Sequence, residues 1–152
     1  MKTKQANISP VAAAAEAAGT SAPELAQLLS ISEPAAWDVL AYSDELSMCL
    51  SLRQLLRLAD RLSVSALSLL PDAPLAREHQ SLTELASEVR AYCTTHHLST
   101  EQFGDTAGWN VQQFLVAPDS ALDNWCLDAL IDVCHTSGLH WPNYFPNATG
   151  NA

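Results

Sequence analysis

The amino-acid sequence predicts an all-α protein made of two tandem five-helix modules packed together. Apolar residues recur at spacings of three and four, no segment alternates as a strand does, and one apolar pattern returns later in the chain. The chain has 152 residues, which suits two modules of marginal individual stability. We therefore expect the two modules to share a core.

The first half contains several helix starts. Ser9 precedes Pro10 and an alanine-rich run that ends at Gly19, while Ser21 and Ser32 open two further predicted helices. The most periodic segment follows, and its three- and four-residue spacings predict an amphipathic helix. Its apolar stripe consists of Leu50, Leu52, Leu55, Leu56, Leu58, Ala59 and Leu62.

The middle of the chain contains the predicted linker. A short helical turn over 64–70 stops at Pro71, and a second proline follows at Pro74. These breaks divide the chain into a flexible N-terminus at 1–7, a first module at 8–71, a linker at 72–80, a second module at 81–147 and a tail at 148–152.

The second half begins again with helix signals. Ser81 and Glu84 have the spacing of a capping box, Ser99 opens the next helix, and Asn110 caps another. Residues 121–137 are predicted as one long amphipathic helix.

The two halves align with each other along most of their length. At an offset of 75 positions, residues 50–71 fall on 125–146, and further upstream the offset grows to 78. Because any two amphipathic helices align to some degree, a chance match is the alternative. The aligned pairs include Leu52 with Leu127, Leu55 with Leu130, Val64 with Leu139, Pro71 with Pro146, and Ser21 with Ser99.

Two segments of the first half carry a family resemblance. ELAQLLSIS at 24–32 and SLRQLLRLADRLSVS at 51–65 resemble the lambda-repressor-like (repressor/Cro-type) helix-turn-helix domain of bacterial and phage regulators. LSTEQFG at 98–104, AGWN at 107–110 and the helix at 127–139 resemble it more weakly. The resemblance implies that the helix after each turn would lie in the major groove of DNA.

The side chains at that position differ from those that usually contact DNA bases. In the first copy the helix carries Glu33 and Asp38, whose carboxylates repel phosphate, and offers none of the usual base-reading side chains. In the second copy Asn110, Gln112 and Gln113 are chemically able to read adenine, but no basic residue neighbours them. These three residues are candidate contacts to DNA or to a partner.

A second candidate surface is a basic stripe. Arg53, Arg57 and Arg61 recur every four residues and so share one face of a helix. They could contact phosphate or an acidic partner, form a solvated face, or approach an acidic face within the molecule or in a dimer. The aligned positions of the second copy are Asp128, Asp132 and Thr136.

Cysteines, histidines and tryptophans favour structural roles. Cys93 and His96 have a ligand-like spacing, but no second pair completes a metal site, so we expect buried structural thiols and no metal. Cys134 aligns with Ala59, a predicted core position. The tryptophans are predicted to lie in the core, with an exposed aromatic edge at 141–146 as the alternative; they are Trp37, Trp109, Trp125 and Trp141.

Charge limits the classes of function. Seven Lys and Arg residues against 17 Asp and Glu give a net charge of −10, which disfavours binding to nucleic acid. No apolar block has the length of a membrane span, and the N-terminus lacks a secretory core segment, so we expect a cytoplasmic protein.

The sequence contains no nucleophile-elbow motif and no phosphate-binding glycine loop, so we expect no enzyme and no cofactor. The predicted function is regulatory, through self-association as a homodimer or through a basic protein partner. The alternative is a sequence-specific DNA-binding transcriptional regulator, which fold analogy alone favours.

Overall fold

A computed structural model describes residues 9–42, 44–70 and 73–146. Within these ranges the chain forms α-helices and 3-10 helices and no strand, which confirms the predicted all-α class. None of the described helices has the length and apolar character needed to cross a bilayer. The predicted flexible N-terminus at 1–7 and tail at 148–152 lie outside the described residues.

The described residues of the first half form five α-helices and one 3-10 helix. The short helical turn predicted over 64–70 is confirmed as the 3-10 helix, and Pro71 lies outside the described residues. In chain order the elements are α1 (Pro10–Ala18), α2 (Ala22–Leu29), α3 (Glu33–Ala41), α4 (Asp44–Met48), α5 (Leu52–Leu62) and the 3-10 helix Ala66–Leu69.

The second half contains the remaining elements. They are α6 (Leu82–Thr95), α7 (Thr100–Ala107), α8 (Gln112–Val116), the 3-10 helix Pro118–Ser120, α9 (Ala121–Asn124), α10 (Leu127–Thr136) and the 3-10 helix Trp141–Tyr144. The prediction of one helix over 121–137 is wrong, because Trp125 and Cys126 adopt extended conformations between α9 and α10.

Serine side chains determine where most of the longer helices begin. Each capping hydroxyl accepts a hydrogen bond from a backbone N–H of the first turn, which has no partner within the helix. At four of these helices the side chain of a Glu or Gln three positions later accepts a hydrogen bond from the backbone N–H of the serine, which completes a capping box. The capping serines are Ser9, Ser21, Ser32, Ser51, Ser81 and Ser99.

The element bounds agree with the offsets found in the sequence. At an offset of 75, α5 falls on α10, and the 3-10 helix Ala66–Leu69 falls on Trp141–Tyr144. At an offset of 78, α2 falls on α7. The derivation of both halves from one module stays a prediction, and these bounds are consistent with it.

The two halves meet where aligned residues face each other. Ser51 and Cys126 form an isolated antiparallel bridge, and the Leu52 backbone N–H donates to the Trp125 carbonyl at 3.0 Å. On either side of this bridge, α5 packs against α9 and α10 packs against α4. This reciprocal arrangement resembles the self-complementary contact of a two-fold dimer.

Buried apolar side chains of both halves belong to one cluster. Leu55 and Leu130, which are aligned in the sequence, are both fully buried. Trp125 and Trp141 are buried as predicted, whereas the core prediction for Trp37 is wrong because 57% of its surface is exposed. On α3 only Ala36 and Val39 are buried, so Trp37 lies to the side of a narrow core face.

Gln54 links α5 to the end of α2 and gives a first prediction. Its Oε1 accepts from the Ser51 N–H at 2.8 Å, and its Nε2 donates to the Leu29 carbonyl at 2.8 Å. Gln102 makes the equivalent capping bond to the Ser99 N–H. Since only Gln54 also binds Leu29, Gln54→Ala should lower the free energy of unfolding by about 1 kcal/mol more than Gln102→Ala in urea denaturation. Equal losses would contradict the role of the Leu29 bond.

Thr20, between α1 and α2, is buried, and its hydroxyl has no hydrogen-bond partner among the described residues. Because an unsatisfied buried hydroxyl is destabilising, Thr20→Val should raise the free energy of unfolding by about 1 kcal/mol. Thr83→Val, at an exposed position of α6, is the matched control and should give no such gain. Equal urea midpoints for wild type and Thr20→Val would mean that the hydroxyl is satisfied in solution.

Candidate functional site

The residues predicted to contact DNA or a partner lie on two surfaces. Asn110, Gln112 and Gln113 lie at the start of α8 and form what is called here the α8 surface. Arg53, Arg57 and Arg61 lie along α5 and form the arginine stripe. All six are at least partly exposed, so both surfaces are available to solvent.

A close turn between α7 and α8 positions the α8 surface. A Cβ placed on Gly104 would lie 2.8 Å from the Trp109 carbonyl oxygen. The backbone at Trp109 therefore passes too close to α7 for a larger residue at position 104, unless that backbone shifts. The Trp109 indole N–H then donates to Asp132 on α10 at 2.9 Å. The turn is therefore held against α10, and α8 begins at a defined place on the surface.

The α8 surface makes hydrogen bonds within the chain. Asn110 Oδ1 accepts from the Gln112 backbone N–H at 2.9 Å, but the N-cap of α8 is Val111, which makes no side-chain capping bond, so the predicted cap at Asn110 is one residue too early. Gln113 Oε1 accepts from Asn124 Nδ2 at 3.2 Å. Gln112 is exposed at the first position of α8. Two of the three predicted base-reading side chains are thus already used in local structure.

The hollow beside α8 is acidic. It has a volume of about 450 Å³, and both Asn110 and Gln112 contribute to its wall. Glu101 and Asp105 line the same hollow, and its described lining includes no Lys or Arg. A phosphate placed there would meet carboxylates without a neutralising cation.

The arginine stripe is largely engaged with carboxylates of the same chain. Arg53 binds Asp123 through two parallel contacts, Nε to Oδ1 at 2.6 Å and Nη2 to Oδ2 at 3.2 Å. This bond, with a smaller contribution from the charge of Arg57, lowers the pKa of Asp123. Arg61 Nη2 lies 3.7 Å from Glu24 Oε2. Both ion pairs are substantially exposed, so each is a weak contact that neutralises charge locally.

Arg53 of the stripe contacts an acidic residue of the other half, but this residue is not on the aligned acidic face that one of the sequence interpretations named. That residue is Asp123 on α9, whereas the aligned Asp132 binds Trp109. Arg90 donates to the Leu115 carbonyl at 2.6 Å and so binds near the end of α8. Arg53 and Arg90 therefore connect helices of the fold to one another.

The cysteines differ in exposure. Cys134 is fully buried, as predicted, and burial raises its pKa to about 12. Desolvation also raises the pKa of the buried Cys93, whereas Cys49 is exposed and a hydrogen bond to Glu45 raises its pKa. No group of three metal-binding side chains comes together among the described residues.

A third surface was not anticipated from the sequence. An apolar groove of about 610 Å³ lies between α1, the start of α2 and α3, and it is called here the α1–α3 groove. The spacing of Ala36 and Val39 on α3 was a signal that Trp37 would lie off the core face. The groove is lined chiefly by Ala12, Ala15, Ala22, Trp37, Leu40 and Ala41.

Comparison of the chain with models of protein families, with curated proteins and with solved structures gives no match. The repressor/Cro-type resemblance therefore stays a prediction from the residues that carry it.

Thiol reactivity tests the placement of the cysteines. Because burial raises the pKa of Cys93 and Cys134, less thiolate forms at about pH 8, and both should resist a disulfide reagent until the protein unfolds. Cys49 is the exposed thiol of the four, so it should react first in the native protein even though its hydrogen bond to Glu45 raises its pKa, and Cys49→Ser should remove that fast phase. Fast native labelling of Cys134, located by peptide mapping, would show that the core is not packed as described.

Proposed function

We propose that this chain is a non-enzymatic regulatory protein of helix-turn-helix ancestry that acts mainly through protein contacts with a basic partner. Its excess of carboxylates would accelerate encounter with such a partner. Specificity would then come from the apolar and polar groups at the contact surface.

The observation that carries this proposal is the local pairing of the cations. The described residues include five arginines, and three of them bind groups of the same chain. DNA affinity depends on cations that neutralise phosphates and release counterions, and each lost phosphate contact reduces that gain. A phosphate would have to compete with Asp123 for Arg53 and with Glu24 for Arg61.

The surface that the resemblance assigns to DNA supports the same conclusion. The helix after the first turn is α3, and its exposed Glu33 and Asp38 would face the phosphates. The corresponding helix of the second half is α8, which has only five residues and lies beside Glu101 and Asp105. Neither helix offers the bidentate Arg contacts common in specific recognition.

The alternative is a DNA-binding transcriptional regulator. The exposure of Gln112 at the start of α8 favours it, because a Gln at that place in a recognition helix can bind adenine. Arg57, which is exposed and whose charge reaches Asp123 without a direct bond to it, would be a phosphate contact in that case.

A DNA titration separates the two functions. Fluorescence anisotropy would follow binding of the purified protein to a random duplex and to the DNA flanking its own gene, each at low and at physiological salt. We expect no saturable binding at physiological salt below about 10⁻⁴ M protein, the weak end of nonspecific DNA affinities.

Saturable binding to the flanking DNA alone at physiological salt would overturn the proposal. Gln112→Ala with Gln113→Ala would then be compared with Gln102→Ala, an exposed glutamine outside α8. Loss of about 1–3 kcal/mol of binding free energy in the first variant only would identify α8 as the reading helix.

A further inference from the structure

The α1–α3 groove is an exposed apolar surface beside an otherwise acidic region. Its lining is formed mainly by alanines, Leu40 and the indole of Trp37, and its volume is about 610 Å³. An indole exposed by 57% is unusual in this protein, because Trp125 and Trp141 are buried. Tryptophans in such positions often provide much of the binding energy at interfaces.

Among the described residues near this groove, carboxylates outnumber cations. Between Lys4 and Arg53 the chain has no Lys, Arg or His, and Glu16 itself lines the groove. From later in the chain, Arg61 reaches this region through its contact with Glu24. The same stretch of sequence contains six carboxylates, at Glu16, Glu24, Glu33, Asp38, Asp44 and Glu45.

The apolar lining of the groove and the carboxylate beside it indicate what kind of segment could bind there. Alanines leave a shallow surface between two helices, which suits the apolar stripe of a third helix. Flanking cations on that helix would lie near Glu16, and one could stack on the exposed indole of Trp37. An acidic or a wholly apolar segment would gain no such contacts.

We propose that the α1–α3 groove binds an amphipathic helix of a partner protein whose apolar stripe is flanked by Lys or Arg residues. This inference rests on the proposed function and names its surface and its class of partner. Leu40 and Ala41 contact the apolar stripe, while Glu16 and Trp37 bind the cations beside it.

The probe for this proposal is a synthetic helical peptide of about four turns, with Leu at positions i, i+3, i+4 and i+7 and Lys elsewhere. Amide chemical-shift mapping on the full chain should place the largest changes at Ala12, Ala15 and Leu40. A peptide with Glu in place of every Lys should not bind. Raising the salt concentration should weaken binding of the Lys peptide.

Two variants and their matched controls test the assignment of residues. Trp37→Ala should weaken binding of the Lys peptide about tenfold or more, while Val116→Ala, at an exposed apolar position on α8, should leave it unchanged. Glu16→Gln should weaken binding more than Glu101→Gln, which removes an exposed carboxylate from the other half. Because all four side chains are exposed, we expect the variants to fold as the wild type does.

The proposal would be overturned if the Lys peptide did not bind, or if Trp37→Ala left its binding unchanged. It would also be overturned if the amide chemical-shift changes lay only outside the α1–α3 groove. Self-association that Trp37→Ala abolishes would also overturn it, by showing that a second copy occupies the groove. If DNA is not bound and the peptide also fails to bind, the groove assignment is wrong while protein contact through another surface stands. DNA binding at physiological salt would instead remove the proposed function itself.

Discussion

The fold depends on burial of the apolar faces of α5 and α10, each of which packs against elements of its own half and against a short helix of the opposite half. A module of this size buries too little surface to be comfortably stable alone, and here the buried side chains of both halves belong to one cluster. The backbone bridge between Ser51 and Cys126 lies at the start of these two helices. The bridge pairs backbone polar groups where the two halves of the chain approach each other. Because the N–H of Leu52 donates to the Trp125 carbonyl there, it is not left unpaired when the apolar faces pack.

This arrangement also accounts for the state of the arginine stripe. Packing α9 against α5 brings Asp123 to Arg53, although 70 positions separate them in the chain. In a protein with a large excess of carboxylates, an exposed cation readily finds an acidic neighbour of this kind. Two of the three arginines of the stripe are consequently part of the internal charge pattern of the chain.

Helix starts were predictable because capping is a local interaction. Ser21 and Ser99 bind N–H groups three positions away, so neighbouring residues suffice to identify them. The break between α9 and α10 was not predictable, because Trp125 leaves the helix to accept a hydrogen bond from Leu52 in the other half. Trp37 was misplaced because its hydrophobicity suggested the core, whereas the small Ala36 and Val39 alone form the buried face of α3.

The sequence by itself determined the all-α class, the helix starts at Ser9, Ser21, Ser32, Ser81 and Ser99, the apolar stripe of α5 and the acidic balance, since each depends on residues near one another or on composition. Tertiary packing alone decided the partner of Arg53, the use of Gln113 in a bond to Asn124, and the groove beside Trp37. These features join residues that are distant in the chain or depend on how helices lie against one another. No local pattern encodes such distances, because the same amphipathic helices can pack in more than one arrangement.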